Sequence, residues 1–348
     1  MFRHVEVRIF KVISTSPPVS NDYLEVLPIH SPKLAMYHLL AVLTILIWGI
    51  TFVSTKILLT EGLTPSSIFV LRFTLAYLGL TFLQLYRQQK KKVVQPHTPS
   101  PWYCQNLKDE LTMLVAGLAG GSLYFLTENN ALKYTLAGNV SLIVCLSPLI
   151  TALLALIFHR NERAGISLWT GSLVAFIGVA FLVYGSSQEG SSSHPLLGNI
   201  LALLGACCWS VYQLIVNPLT RRYGTLMTTR KVFGYGLLTI MPVFIYEHAI
   251  TVDIILKPVV WGNLLFLGVV ASLICYLSWN KVVEQLGSIV SANYIYLDPL
   301  STCLFSYLLL HEKMTGSIII GGAAILFGLY IVATRPKILL KFTHDKRQ

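Results

Sequence analysis

One carboxylate stands alone in an otherwise uncharged apolar run. Asp298, followed at once by Pro299, lies near the middle of Gly287–Leu310. An ionised carboxylate facing lipid costs about 2.5–3.5 kcal/mol on insertion scales, so this residue is expected to face a cavity or a partner. Two chemistries suit it there: binding a ligand ammonium, and taking up a proton. A protonated structural acid, bonded to a carbonyl that Pro299 frees, is the plain alternative. Pro148 holds a similar place in the run Leu136–Phe158. Each proline is expected to remove a backbone donor in mid-helix, which makes both candidate hinges or fixed kinks.

Further polar and aromatic side chains fall inside apolar runs. Glu128, Asn129 and Asn130 lie toward the end of Leu111–Leu132, and Trp279 with Asn280 closes Val259–Trp279. Amide side chains both donate and accept, which suits a zwitterionic ligand, although helix-end solvation explains them too. Trp48 and Thr51 sit deep in Tyr37–Leu59, and Trp209, Tyr212 and Gln213 deep in Leu196–Leu219. They are candidates for a cavity wall or for packing. Arg72, at the outer end of its run, is expected to snorkel to lipid headgroups. Glu162 and Glu312, in loops beside Arg163 and Lys313, are expected to cap the helices that follow. No catalytic set accompanies these residues. There is no G-x-x-x-x-G-K-[ST] loop and no H-x-x-x-H spacing, so neither a metal site nor a cofactor is expected. The six cysteines lack metal-ligand spacing and are read as structural.

The elements that must position these groups follow from composition. Of 348 residues only 12% are charged while 54% are apolar or aromatic, against about 25% charged in soluble domains. A soluble fold cannot clothe that much apolar surface, and disorder and coiled coil fit no better. Ten apolar runs approach the ~20 residues needed to cross a bilayer. Besides those named, they are Ser67–Tyr86, Ile166–Tyr184, Lys231–Tyr246 and Thr315–Thr334. The seventh, Lys231–Tyr246, is the weakest, being short and interrupted by Pro242. The net charge of +11 is an orientation signal. With a cytoplasmic N-terminus and alternating helices, 21 of the 26 Lys and Arg fall on the inner side, which places both termini in the cytoplasm. That bias explains Lys90–Lys92 better than nucleic-acid binding does.

The chain also repeats. Gly117 and Pro148 recur as Gly268 and Pro299 at an offset of 151, and Glu162, Gly171 and Gly178 recur as Glu312, Gly321 and Gly328 at an offset of 150. Within each copy the last two glycines are seven residues apart, so they share a helix face suited to close packing. A repeat of five helices is odd, so its second copy must enter the membrane from the opposite side. Inverted halves around a central site suit alternating access. The expected fold is all-α and membrane-integral: ten transmembrane helices in two inverted five-helix repeats around a central cavity. The repeats occupy 36–185 and 196–334, joined by an external linker 186–195. Residues 1–35 form a cytoplasmic extension, with Met36 as an alternative start, and 335–348 a basic cytoplasmic tail.

At this point the residues resemble a known family. Glu128 through Thr135, then Ser147-Pro148 and Glu162-Arg163, look like the third-to-fourth-helix signature of EamA-type transporters of the drug/metabolite transporter superfamily. Trp48-Gly49 is similar, as is the series Trp279-Asn280, Gly287, Asp298-Pro299, Glu312-Lys313 and Gly321. The resemblance covers about 36–334. It implies a cell-membrane carrier, most readily an exporter of amino acids or related small metabolites, with no enzymatic role. Proton coupling fits, and the chain would act as a monomer or homodimer. Many members carry Glu where Asp298 stands, one methylene longer. Other readings remain open: a carrier of nucleotide sugars or phosphorylated metabolites, which would want several cavity-facing Lys or Arg, and a non-transporting sensor.

Overall fold

A computed structural model describes residues 32–94, 102–158, 166–188, 193–247, 252–286 and 293–334. Most of the extension, residues 189–192 of the linker and the whole basic tail therefore lie outside the described residues, as does Glu162. Within them every regular element is helical. Helices α1 (Pro32–Thr60) and α2 (Pro65–Val94) are followed by a rod of α3 (Leu107–Gly117), a π-helical segment Leu118–Leu123 and α4 (Tyr124–Tyr134). Then come α5 (Ala137–Val144), α6 (Ser147–Phe158), α7 (Ile166–Gln188), α8 (Pro195–Tyr223) and α9 (Thr225–Glu247). A short α10 (Val252–Ile255) precedes a second rod: α11 (Pro258–Leu265), a π-helical segment Phe266–Ile274 and α12 (Cys275–Leu286). A 3-10 turn Asn293–Leu297 leads into α13 (Asp298–Leu310), and α14 (Gly316–Thr334) ends the described chain.

The boundaries have local causes. Proline opens α1, α2, α8 and α11, where a missing N–H costs nothing and the fixed φ is pre-set for helix. Asn106 caps α3, its side chain accepting from the Asp109 amide at 2.7 Å. The chain reverses between α8 and α9 through Gly224 alone, at φ +80°, a backbone conformation that favours glycine.

Five stretches are long and apolar enough to cross a membrane: Ala35–Thr60, Pro65–Gln89, Leu107–Tyr134, Pro195–Tyr223 and Pro258–Trp279. Shorter apolar helices occupy Ala137–Thr151, Trp169–Phe181 and Gly316–Gly328. Large apolar side chains such as Leu173, Ile177, Phe181, Ile319 and Phe327 point outward, as a lipid-facing surface requires and a soluble one avoids. The weak seventh run is an unbroken helix, α9, with Pro242 inside it.

Neither of the repeated prolines sits in mid-helix, contrary to expectation. The fourth run is broken at Cys145–Leu146, and Pro148 falls in the first turn of α6. Pro299 likewise falls in the first turn of α13, after the 3-10 turn. In those positions the absent donor is not needed. The carbonyls four residues back, which the rings prevent from being used by the helix, are taken by side chains. The Ser147 hydroxyl donates to Val144 O, and Cys145 Sγ donates to Ile295 O at 3.7 Å. The second of these bonds joins the two breaks across the halves.

The repeated glycines mark the crossing of α7 and α14. A Cβ on Gly178 would stand 2.7 Å from Gly321 O, and one on Gly328 would stand 2.5 Å from Gly171 O. Backbone oxygens cannot swing aside, so the helices touch only because these residues are glycine. Gly328→Leu is expected to force α7 and α14 apart, destabilising by about 2 kcal/mol. Thermal melting in detergent measures it, and a variant melting with the wild type would contradict the contact.

Candidate functional site

Both halves of the chain build one cavity of about 60 Å³, with α1, α2, α4, α6, α8, α12 and α13 each contributing a side chain. Such a volume holds ~4 water molecules. The aromatic part of its wall is a chain of rings. Trp48 of α1 meets Tyr276 of α12 edge-on at 5.3 Å, and Tyr276 meets Trp209 of α8 at 6.5 Å. Trp209 in turn packs on Tyr124 of α4 at 4.9 Å. Trp48 is fixed by its Nε1–H donating to Ala271 O at 3.0 Å, within the second π-helical segment. Such segments recur at functional sites because they re-aim side chains.

Three ionisable side chains close the wall. Glu128 comes from the first half and Asp298 from the second, with Arg72 of α2 in the same cavity. They are only 2%, 8% and 3% exposed. Glu128 Oε2 and Asp298 Oδ1 are buried with no hydrogen-bond partner among the described residues. Buried carboxyl oxygens without a partner are costly, which makes these two candidates for ligand or proton contacts. Two helix N-termini, those of α6 at Ser147 and α13 at Asp298, also open on this cavity. Broken helices that present their termini at the middle of a bundle are the usual way for membrane proteins to hold polar ligands.

Arg72 does not snorkel. Its Nε donates to Ser272 Oγ at 2.7 Å, and its guanidinium lies over the rings of Phe73 and Phe125 at 5.1 and 4.9 Å. The π-helical segment that carries Ser272 packs along α2, and this turns Arg72 inward. Aromatic faces and a hydroxyl replace the headgroups it would otherwise seek.

The remaining candidates take other places. Thr51 lines the cavity and donates to Trp48 O at 2.6 Å. Asn129 donates to Pro65 O at 3.1 Å and Asn130 to Leu126 O at 2.8 Å, tying α4 to α2 and to its own preceding turn. Tyr212 packs on Trp209 at 5.0 Å and fills the space left by Gly120. Gln213 is half-buried in α8, away from the wall. Trp279 stacks behind Trp48 at 5.4 Å, in a small core with Ala41 and Ile45. The side chain of Asn280 lies outside the described residues.

Each end of the bundle is tied by charge. At one end Glu312 pairs with Lys56 at 2.7 Å and accepts from the Ala137 amide at 3.1 Å, while Lys56 also donates to Thr135 O at 2.8 Å. Glu312 therefore caps α5 rather than the helix that follows it, because the hairpin His311–Thr315 folds over the start of α5. At the other end Asp109 accepts from Arg222 at 2.6 Å and from the Tyr223 hydroxyl at 2.5 Å. Beside it Glu110 binds Lys231 and the Tyr235 hydroxyl. Burial and this carboxylate push the nearby Cys104 thiol up to about 12, leaving it unreactive at neutral pH.

Fold and site together define a multi-pass helical membrane protein with a charged, aromatic-walled cavity shared between two halves. The model of the EamA-like transporter family matches residues 35–184 and again 196–334, and the chain belongs to that family. It is 28% identical over 298 residues to an uncharacterized transporter of Archaeoglobus fulgidus, covering 86% of this chain and 97% of that one. The uncharacterized transporter YyaM of Bacillus subtilis is 26% identical, over 70% of this chain and 76% of its own. A probable terminal-alkyne amino-acid exporter of Streptantibioticus cattleyicolor is 25% identical, over 66% and 74%. A crystal structure at 20% identity shares the fold, with a TM-score of 0.56 over 88% of this chain and 99% of that one.

Proposed function

We propose that the chain is a secondary carrier working by alternating access, exporting amino acids or related small metabolites across the cytoplasmic membrane. The observation that carries this is the pair of buried carboxyls, one from each half, on one cavity, each with an oxygen that has no hydrogen-bond partner among the described residues. A carrier must bind its cargo between two bodies that can part on either side, and a site divided between repeats meets that need.

Several features support ten crossings in two inverted halves. The family model matches twice. The two rods with π-helical segments near Gly117 and Gly268, and the two breaks before Pro148 and Pro299, recur in the same order in each half. With 21 of 26 basic residues on one side, both termini are cytoplasmic. Lys56–Glu312 then lies at the outer end and the Asp109–Glu110 cluster at the inner end. Asp298 is the coupling residue, exchanging a proton as cargo binds and leaves; the chain works in the bilayer as a monomer or homodimer, as a carrier and not a catalyst. A phosphorylated cargo fits less well, since Arg72 is the cation among the cavity-lining residues, against two carboxyls. The test is flux of labelled amino acids into liposomes containing the purified protein. Uptake that responds to an imposed pH gradient supports a proton-coupled carrier, and no flux for any of them returns weight to a sensor.

A further inference from the structure

Arg72, Glu128 and Asp298 line one cavity and are all at least nine-tenths buried. Among the described residues none of the three has an opposite charge within the 4.0 Å of an ion pair. Structural charges at such depth are ordinarily paired with one another, because an uncompensated one is expensive. These are held apart instead. Ser272 takes the Nε of Arg72 at 2.7 Å, and its guanidinium lies over the adjoining Phe73 and Phe125 rings. The guanidinium is thereby positioned without a direct ion pair to a protein carboxylate.

Resting on the carrier reading above, we propose that Arg72 binds the carboxylate of the cargo, so that the site selects molecules bearing an ammonium and a carboxylate together. The charge count supports this. A zwitterion satisfies Arg72 with its carboxylate and one of Glu128 or Asp298 with its ammonium, leaving the second carboxyl for the coupling proton. The planar fork of arginine matches a carboxylate with two parallel hydrogen bonds, which a lone ammonium on the cargo cannot use. Trp48 and Trp209 supply the apolar wall against which the rest of an amino acid lies. A decarboxylated amine, by contrast, leaves Arg72 buried and unanswered, with its positive charge repelling the cargo.

The experiment compares labelled amino acids with their decarboxylated amines in liposomes containing wild-type, Arg72→Gln or Arg72→Lys protein. Wild type is expected to move at least one amino acid and to reject its amine. Arg72→Gln should lose that amino acid by at least about 30-fold and gain flux of the amine, an inversion that a merely destabilised protein does not show. Arg72→Lys keeps the charge without the fork and should retain the preference at lower flux. The proposal is overturned if Arg72→Gln carries the amino acid as the wild type does, if wild type moves amine and amino acid alike, or if Arg72→Lys loses the preference. Should wild type move no compound of either series, the carrier reading itself fails, and the role of Arg72 falls with it.

Discussion

Asp298→Asn is expected to lower net transport about 100-fold and to remove its response to a pH gradient, while the protein folds and melts as the wild type does. Asp298 is buried at the head of α13, and its Oδ1 has no partner among the described residues. An amide of the same shape therefore breaks no bond to that oxygen and relieves a buried acid. What it removes is the ability to hold a proton in one conformation and release it in another. A 100-fold loss corresponds to about 2.7 kcal/mol, the size of effect expected when one buried, functional charge is deleted. Asp298→Glu restores the acid and should recover much of the flux. Flux and pH response in Asp298→Asn equal to wild type would show that Asp298 is a structural acid.

The second large effect concerns the end that the proposed topology places outside. Lys56→Met leaves Glu312 almost fully buried with its counter-charge gone, although the Ala137 amide still donates to it. Breaking a buried pair by removing one partner costs about 3–5 kcal/mol. Lys56 retains some exposure, so we expect a shift of about 2 kcal/mol, or ~30-fold, toward the outward-open state. Thr51 lines the cavity one to two turns below Lys56 along α1. With the six native cysteines replaced, Thr51→Cys should react with an impermeant maleimide ~30-fold faster in the Lys56→Met background. A double variant, Lys56→Glu with Glu312→Lys, should restore slow labelling. Equal labelling in all three proteins would mean that the ion pair holds no gate.

Much of the architecture is legible in the residues alone, because lipid leaves few options: apolar runs of about 20 residues become helices, and a lone acid among them must face inward. The glycine pairs also carry their meaning openly, since a seven-residue spacing places both on one face, and α7 and α14 meet there. What the linear pattern hides is rotation and register between helices. Arg72 reads as a headgroup anchor because it lies eight residues into α2, yet only the packing of Ser272 beside it decides that it turns inward. Glu312 reads as a local cap, but its partners are 175 and 256 residues distant. The prolines show a third limit. A proline after a serine or an aspartate is compatible both with a kink and with a helix start, and only the broken turns at Cys145–Leu146 and Asn293–Leu297 separate the two. Gly120 and Gly121 lie in the first π-helical segment. Gly120 makes room for the Tyr212 ring and Gly121 for close approach to Gly236.

Under the proposed mechanism one cavity, shared by the two halves, is exposed alternately to the two sides. Counterflow tests it most directly. Liposomes holding purified protein are loaded with an excess of an unlabelled amino acid and diluted into a trace of the labelled form, with no pH gradient imposed. A carrier exchanges one for the other, so label should rise transiently above its equilibrium level and then fall. A Glu128→Gln, Asp298→Asn double variant should show no such overshoot. Monotonic equilibration of the label in wild type, without an overshoot for any of the transported amino acids, would contradict alternating access.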